Sequence, residues 1–190
     1  MAEQYLRISI IGPECSGKTT LAQQLASHYD AWLVPEFARI FLENKKSAAT
    51  YEDLLEIANG QQHLESDAVR TLSAGKGVRM VISDTDLHVI RIWSEIAFQR
   101  CDNRILSMLS EDRRDIYLLL YPDLVWVADV QREYPDEKDR IIIFHHYLDT
   151  MVGQQICFEV IKGQGISRLN SAIDAIDRVI SAKLPHQDLV

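Results

Sequence analysis

The sequence is poor in several features that would point to particular classes of protein. It contains only three cysteines, Cys15, Cys101 and Cys157, which are too few and too widely spaced for a disulfide framework or a zinc site. The net charge of -8 argues against nucleic-acid binding, which needs a basic face. No apolar run reaches the length of a membrane span, and no segment has the composition of a signal peptide. We therefore expect a cytoplasmic protein that contacts neither a nucleic acid nor a membrane.

The sequence does contain short apolar runs that alternate with stretches of helical periodicity. Its 47% hydrophobic and 25% charged residues are typical of a globular protein, and 190 residues suit one sizeable core. Five apolar runs separated by helical patterns predict an α/β fold, doubly wound in three layers around a mostly parallel sheet. The runs are LRISIIG, AWLVPE, VRMVISD, IYLLLYPD and CFEVIKG. We expect residues 1–190 to form a single domain.

The first apolar run leads into GPECSGKT, which fits the pattern G-x-x-x-x-G-K-[ST] of a phosphate-binding loop, or P-loop, between a strand and a helix. Gly12 and Gly17 permit the backbone angles at which successive amides turn toward an anion. Lys18 can reach the terminal phosphates, and the Thr19 hydroxyl can ligate Mg²⁺. Cys15 is interpreted either as a small filler or as an oxidisable thiol at a helix N-terminus. The predicted nucleotide-binding residues are Gly12, Pro13, Glu14, Cys15, Ser16, Gly17, Lys18, Thr19 and Thr20.

Charged side chains follow the second and third runs at the carboxyl edge of the predicted sheet, where doubly wound folds bind their ligands. Asp84 is predicted to order magnesium, with capping of the next helix as the alternative. Asp86 can share that site, although capping suits it better. Glu36 is predicted to orient or deprotonate an acceptor hydroxyl, with Arg39 on the same face one turn later. The alternative for Glu36 and Arg39 is a surface ion pair of little energetic value.

A highly charged segment after the fourth run is predicted to form a lid at about residues 129–140. Arg132 and Arg140 are candidates to close onto the phosphoryl group during its transfer. A solvated charged loop is the alternative. Trp93 and Trp126 are candidate contacts for the acceptor, although indoles more often pack in a core or at its rim.

Six motifs occur in the order GPECSGKTTLA, VPEFAR, IANGQQ, SDTDL, WSE and YLLLYPDLVWVAD. Through them the chain resembles, over almost its whole length, the ribosylnicotinamide kinase domain of bacterial NAD-biosynthesis regulators (the NadR-like family). The resemblance implies a P-loop kinase with strand order 2-3-1-4-5. It implies that ATP and Mg²⁺ are used to phosphorylate the 5′-hydroxyl of nicotinamide riboside. It also implies catalytic roles for Lys18, Glu36, Asp84, Arg132 and Arg140, metal binding by Thr19 and Asp84, and adenine contacts near Gly163 and Gly165. Candidate acceptor-binding residues are Glu36, Arg39, Asp86, Trp93 and Trp126.

The chain departs from this family at two positions where its kinases place aromatic residues that can stack on the nicotinamide. Pro35 stands before the E-x-x-R motif, and Gln62 follows the glutamine of NGQ. Nicotinamide riboside is therefore the first candidate among small nucleoside-like acceptors. A nucleoside or nucleotide kinase of other specificity and an ATP-hydrolysing regulatory switch are the alternatives. The sequence leaves a homo-oligomer open.

Overall fold

A computed structural model describes residues 5–72, 79–129 and 132–183. Within these ranges no helix is both long enough and apolar enough to cross a membrane. The elements, in chain order, are β1 (Tyr5–Ile11), α1 (Lys18–Tyr29), β2 (Trp32–Val34), α2 (Phe37–Lys45), α3 (Asp53–Leu72), β3 (Arg79–Asp84), α4 (Leu87–Phe98), α5 (Asn103–Glu111), β4 (Ile116–Leu120), α6 (Glu137–Gly153), β5 (Phe158–Ile161) and α7 (Gly165–Lys183).

The five strands form one sheet in the order β2-β3-β1-β4-β5. Every neighbouring pair is parallel, and the central strand β1 aligns Ile8 with Ile82 of β3 and with Ile116 of β4. Parallel neighbours need a crossover connection, and helices supply it here. The α/β fold and the strand order expected from the sequence are confirmed.

Helices cover both faces of the sheet, which explains why the central strands read as continuous apolar runs. Successive side chains in a strand point to opposite faces, so β1 and β4 each contribute to two apolar clusters. The cluster on the side of α1 and α7 includes Ile8, Leu25, Leu118 and Ile176. The cluster on the side of α6 includes Ile11, Leu119 and Phe144. Both clusters end at the carboxyl edge of the sheet, where the polar loops begin.

The boundary between the predicted lid and the next helix differs from the expectation. Helix α6 begins at Glu137, so residues 137–140 form its first turn. The Asp136 carboxylate accepts a hydrogen bond of 2.8 Å from the Lys138 amide and caps the helix. Part of the charge that indicated a loop is therefore a helix start signal. The lid prediction is reduced to residues 129–136, of which 130 and 131 lie outside the described residues.

Candidate active site

The P-loop leaves β1 with a backbone that glycine makes possible. Gly12 has φ 141° and Gly17 has φ 85°, both in the region that side-chain-bearing residues avoid. A Cβ on Gly12 would lie 2.8 Å from the carbonyl oxygen of Leu120, so the loop starts in direct contact with the end of β4. Helix α1 then begins at Lys18. Its first amides have no partner within the helix, which is the arrangement that binds phosphates.

Side chains of the P-loop bond to the loop's own carbonyl groups. The Lys18 ammonium donates to the carbonyl oxygens of Gly12 and Pro13 at 3.0 and 2.9 Å. The buried Ser16 hydroxyl donates to the carbonyl oxygen of Pro13 at 2.8 Å. The ammonium charge is therefore held against the loop, where it can neutralise a terminal phosphate.

Asp84 ends β3 next to the start of α1 and is 3% exposed. Burial raises the pKa of its carboxyl, while a hydrogen bond from the Thr19 hydroxyl and the charge of Lys18 act in the opposite direction. Among the described residues, Asp84 Oδ1 has no hydrogen-bond partner. A buried carboxylate oxygen without a partner, beside a hydroxyl, fits a divalent cation that prefers oxygen ligands.

Glu36 stands at the turn between β2 and α2 and lines the same cavity as Lys18 and Thr19. It occupies the N-cap position of α2, yet its side chain makes no capping hydrogen bond within the described residues. Burial is the main reason that the pKa of its carboxyl is raised; Lys18 acts in the opposite direction, and Asp84 adds to the rise. A carboxylate with a raised pKa inside a cleft is typical of a general base.

The cavity has a volume of about 620 Å³, which suits a small molecule. One wall is the P-loop, from Gly12 to Thr20. The opposite walls come from α2, α3, α4, α6 and the segment that follows β4. Residues of these opposite walls include Ala38, Arg39, Leu42, Gln61, Val89, Trp93, Tyr134 and Tyr147. The cavity therefore joins the predicted phosphate site to Arg39 and Trp93, which were expected to contact the acceptor.

Arg39 faces the segment after β4. Its Nη1 and Nη2 atoms both donate to Asp129 Oδ2 at 3.3 Å. The Arg39 side chain is 41% exposed and that of Asp129 is 23% exposed. The pair links α2 to the first residue of the predicted lid in a partly solvated position.

The predicted lid lies on the P-loop. The Glu14 carboxylate accepts hydrogen bonds from the amides of Glu133 and Tyr134 at 2.8 and 3.1 Å. The Cys15 sulfur accepts from the Val127 amide at 3.3 Å and from Arg132 Nη1 at 3.4 Å. Arg132 therefore lines the cavity beside the loop. No role beyond its place in the P-loop is predicted for Glu14 from the sequence, because its partners are backbone amides of a distant segment.

Arg140 and Trp126, which were assigned to the site, lie differently from the expectation. Arg140 is on α6 rather than on a loop, is 4% exposed, and donates to the Leu124 carbonyl at 3.4 Å. Its guanidinium carbon lies 5.5 Å from the centroid of the Trp126 ring. Within the described part of the chain neither Arg140 nor Trp126 lines the cavity. A helical, buried arginine is fixed by its packing, so the structure assigns Arg140 to the support of the segment after β4.

Asp86 is also displaced from its expected role. It is 0% exposed and accepts a hydrogen bond of 2.9 Å from the His88 amide, which makes it the N-cap of α4. Its carboxylate also approaches the buried Arg114, at 3.8 Å. The capping alternative, which the sequence already favoured, thus replaces contact with the acceptor.

The loop between β5 and α7 is tied to the P-loop by an arginine that sequence reasoning missed. Arg168 donates to the carbonyl oxygens of Ser16 at 2.7 Å, Gly163 at 2.7 Å and Tyr121 at 3.1 Å, and it pairs with Asp123. Asp123 in turn accepts from the Gly163 amide at 2.7 Å. Gly163 and Gly165, expected near the adenine, both have positive φ. No local pattern distinguishes this arginine from a surface one, because its partners are carbonyls far away in sequence.

The site defines a P-loop nucleotide-binding protein. It combines a loop whose backbone depends on two glycines, a lysine and a hydroxyl at the start of a helix, and an acid on the adjacent strand. The more particular assignment comes from comparison with known sequences. The AAA domain family matches residues 7–168, and the chain belongs to this family.

The chain is also similar to proteins of the NadR-like family, which its sequence motifs indicate. The trifunctional NAD biosynthesis/regulator protein NadR of Escherichia coli (strain K12) is 27% identical over 137 residues, which cover 70% of this chain and 32% of the relative. A crystal structure of NadR protein in complex with NR superimposes with a TM-score of 0.81 at 20% identity, covering 98% of this chain and 54% of that one.

A second structure, of NadR protein in complex with NAD and AMP-PNP, gives a TM-score of 0.77 at 21% identity over 97% of this chain and 52% of that one. The resemblance to the NadR-like family is confirmed, and so is the P-loop kinase fold. The chain spans about a third of the length of the curated relative.

Proposed function

We propose that this protein transfers a phosphoryl group from ATP to a hydroxyl of a small nucleoside-like acceptor, with the 5′-hydroxyl of nicotinamide riboside as first candidate. The observation that carries the proposal is that Lys18 and Glu36 line one cavity, in which the Lys18 charge lowers the pKa of the Glu36 carboxyl against the larger effect of burial. Lys18 belongs to the phosphate side of this cavity. Glu36 provides a carboxylate on the opposite side, which a kinase needs and a nucleotide switch does not.

On the donor side, the P-loop amides and Lys18 hold the β- and γ-phosphates. Thr19 and Asp84 would hold Mg²⁺, for which their oxygens and the partnerless Asp84 Oδ1 are suitable ligands. Bound there, the ion would neutralise charge on the phosphates. Gly163 and Gly165 face the adenine, in a loop that Arg168 ties to Ser16.

On the acceptor side, Glu36 accepts the proton of the attacking hydroxyl. Its raised pKa suits this step, because a base works best when its pKa lies close to the working pH. Arg39 and Trp93 contact the acceptor, and Arg132 shields the transferred group from water. Residues 1–190 act as one domain whose lid is the segment 129–136.

The similarity to NadR, one structure of which contains NR, supports a nicotinamide riboside acceptor. Pro35 and Gln62 stand where that family has stacking aromatics, so another aromatic residue has to provide the platform. Trp93 and Tyr134 line the cavity and can do so. If neither does, a nucleoside with a different base is the acceptor.

The test measures ADP release by the purified protein with Mg-ATP, alone and with a panel of nucleosides that includes nicotinamide riboside. We expect nicotinamide riboside to increase ADP release strongly and to be converted to its monophosphate. Glu36→Gln should lower the stimulated rate by about 10²–10⁴-fold while ATP binding persists. Lys18→Ala should abolish it. Slow ADP release that no acceptor changes would instead identify an ATP-hydrolysing switch.

A further inference from the structure

The turn that carries Glu36 is held by a buried amide on α3. Gln61 Oε1 accepts a hydrogen bond from the Phe37 amide at 2.8 Å, and Gln61 Nε2 makes a longer contact of 3.4 Å with the carbonyl oxygen of Pro35. These two groups belong to the peptide units on either side of Glu36. The Gln61 side chain therefore bonds to the backbone on both sides of Glu36, and we call this pair of contacts the bracket.

The chemistry of the partners fixes the orientation of this amide. A backbone N–H can bond only to Oε1, and a backbone carbonyl only to the NH₂ group. Gln61 is 2% exposed, so water cannot replace either partner without opening the structure. Loss of the bracket would leave the Phe37 amide unsatisfied in a buried place.

The residue before Gln61 brings α3 close enough for this bracket. Gly60 lies within α3, where glycine costs about 1 kcal/mol relative to alanine. A Cβ at this position would lie 2.2–2.4 Å from three atoms of the Phe37 ring. The ring therefore occupies the space that a side chain at residue 60 would fill. Gly60 and Gln61 together hold residues 35 to 37 against one face of α3.

The elements on either side of the turn are short or only partly buried. Strand β2 contains three residues, and none of the nine residues of α2 is buried. Helix α2 packs the partly buried Phe37, Ala38 and Phe41 against an apolar cluster to which α3 and α4 contribute. The Glu36 side chain makes no capping hydrogen bond within the described residues, so it does not fix its own position. A displacement of about 1 Å at a reacting group can lower a rate by about 10²-fold. The position of Glu36 thus depends on α3 more than on its own helix.

We propose that Gln61, placed by Gly60, is the positioning residue that holds Glu36 in line with the acceptor hydroxyl. This inference rests on the proposed function, since it concerns how the proposed base is held. It assigns to Gln61 an action on the chemical step through Glu36 and no contact with the transferred group. The same contacts explain a glycine inside a long helix that the P-loop motif does not require.

The experiment is a double-mutant cycle of Gln61→Leu and Glu36→Gln, with kcat and KM measured for ATP and for the acceptor that stimulates ADP release. Gln61→Leu should lower kcat by about 10–10²-fold and leave both KM values within about twofold of the wild type. In the Glu36→Gln background the same change should cost almost nothing, because the base is already absent. Gln24→Leu, on an exposed position of α1, is the matched control and should leave kcat unchanged.

Two results would overturn the inference. These are losses that multiply in the double variant, and an unchanged kcat, with or without a raised KM for the acceptor. Gly60→Ala is the second route, because its Cβ has to displace Phe37, and it should reproduce the fall in kcat and its dependence on Glu36 even if Gln61→Leu does not fold. Absence of acceptor-stimulated turnover in the wild type would count against the proposed function, and additive losses in an active kinase would count against this inference alone.

Discussion

The two sides of the cavity are held by different kinds of contact. On the donor side, Gly12 touches Leu120 and the buried Arg168 bonds to three loops through backbone carbonyls and a carboxylate. On the acceptor side, α2 has no buried residue, and its link to the lid is the partly exposed pair of Arg39 and Asp129. The donor side is anchored by buried contacts, whereas α2 on the acceptor side packs on the core with residues that are only partly buried.

This difference suits the proposed kinase reaction. The nucleotide presents the same phosphates in every cycle, so a rigid cradle that needs no rearrangement is favourable for it. The acceptor has to enter and leave, and the segments around it need a lower local stability in order to open. A rigid donor side and a loosely held acceptor side therefore predict that substitutions on the two sides will have different consequences.

The largest effect on stability is expected from Arg168→Met, which removes contacts that hold the donor side. The substitution removes four hydrogen bonds and leaves Asp123 without its cation, so we expect the free energy of unfolding to fall by about 2–4 kcal/mol. The P-loop loses its bond at the Ser16 carbonyl, so the KM for ATP should rise about tenfold. Urea unfolding and the dependence of ADP release on ATP concentration measure the two effects.

Arg178→Met provides the control, since Arg178 lies on the same helix with an exposed ion pair to Glu159. It should change neither quantity appreciably. An Arg168→Met protein with the wild-type KM for ATP would mean that the loop between β5 and α7 does not position the nucleotide.

A smaller effect on stability, of opposite sign, is expected from Glu36→Gln on the acceptor side. Because the pKa of Glu36 is raised in the folded protein, the folded state binds a proton more tightly than the unfolded chain. The stability of the wild type therefore decreases as the pH rises through the interval between the ordinary and the raised pKa. Glutamine carries no such penalty, so the variant should melt at a higher temperature than the wild type at pH 8.

The comparison is made by thermal melting at pH 4 and pH 8. At pH 4, where the unfolded chain also carries the proton, the difference between the two proteins should largely disappear. A variant that is less stable than the wild type at pH 8 would show that the carboxylate makes contacts worth more than its burial costs.

The smallest effect on stability is expected from Asp129→Asn. The ion pair with Arg39 is partly solvated, and such pairs contribute about 0.2–1 kcal/mol. The free energy of unfolding should therefore change by less than about 1 kcal/mol, and the KM for ATP should stay unchanged. A loss of stability as large as that at Arg168 would remove the distinction between the two sides. Added salt should reduce the difference between variant and wild type further.

The sequence predicted the fold because the fold depends on patterns that are local in the chain. Five apolar runs, a glycine-rich turn and acids at strand ends mark the strands and the edge at which ligands bind. Helical periodicity in the sequence from about Tyr51 to Leu72 predicts one long helix, and α3 is observed over Asp53–Leu72. Signals of this kind need no knowledge of which segments meet.

The sequence could not predict the residues that act through backbone groups of distant segments. Gln61, Arg168 and Glu14 each bond to peptide groups that are close only in the folded chain. Because every residue has a peptide group, the sequence does not indicate which of them will accept or donate such a bond. Arg140 was assigned to a loop because charge density indicates both exposed loops and helix starts. Asp86 stayed a candidate acceptor contact because it follows Asp84 by two residues, although capping of the next helix suited it better and is what the structure shows.

The place of β1 in the middle of the sheet has a consequence for synthesis on the ribosome. The P-loop is synthesised before the residues that support it, which are Leu120 and, on the last described helix, Arg168. Contacts between such distant segments form late, because a large loop has to close first. A nascent chain therefore carries its phosphate motif before α7 is made, and it completes the motif only when α7 docks. Cellular ATP would then selectively stabilise chains in which that docking has happened.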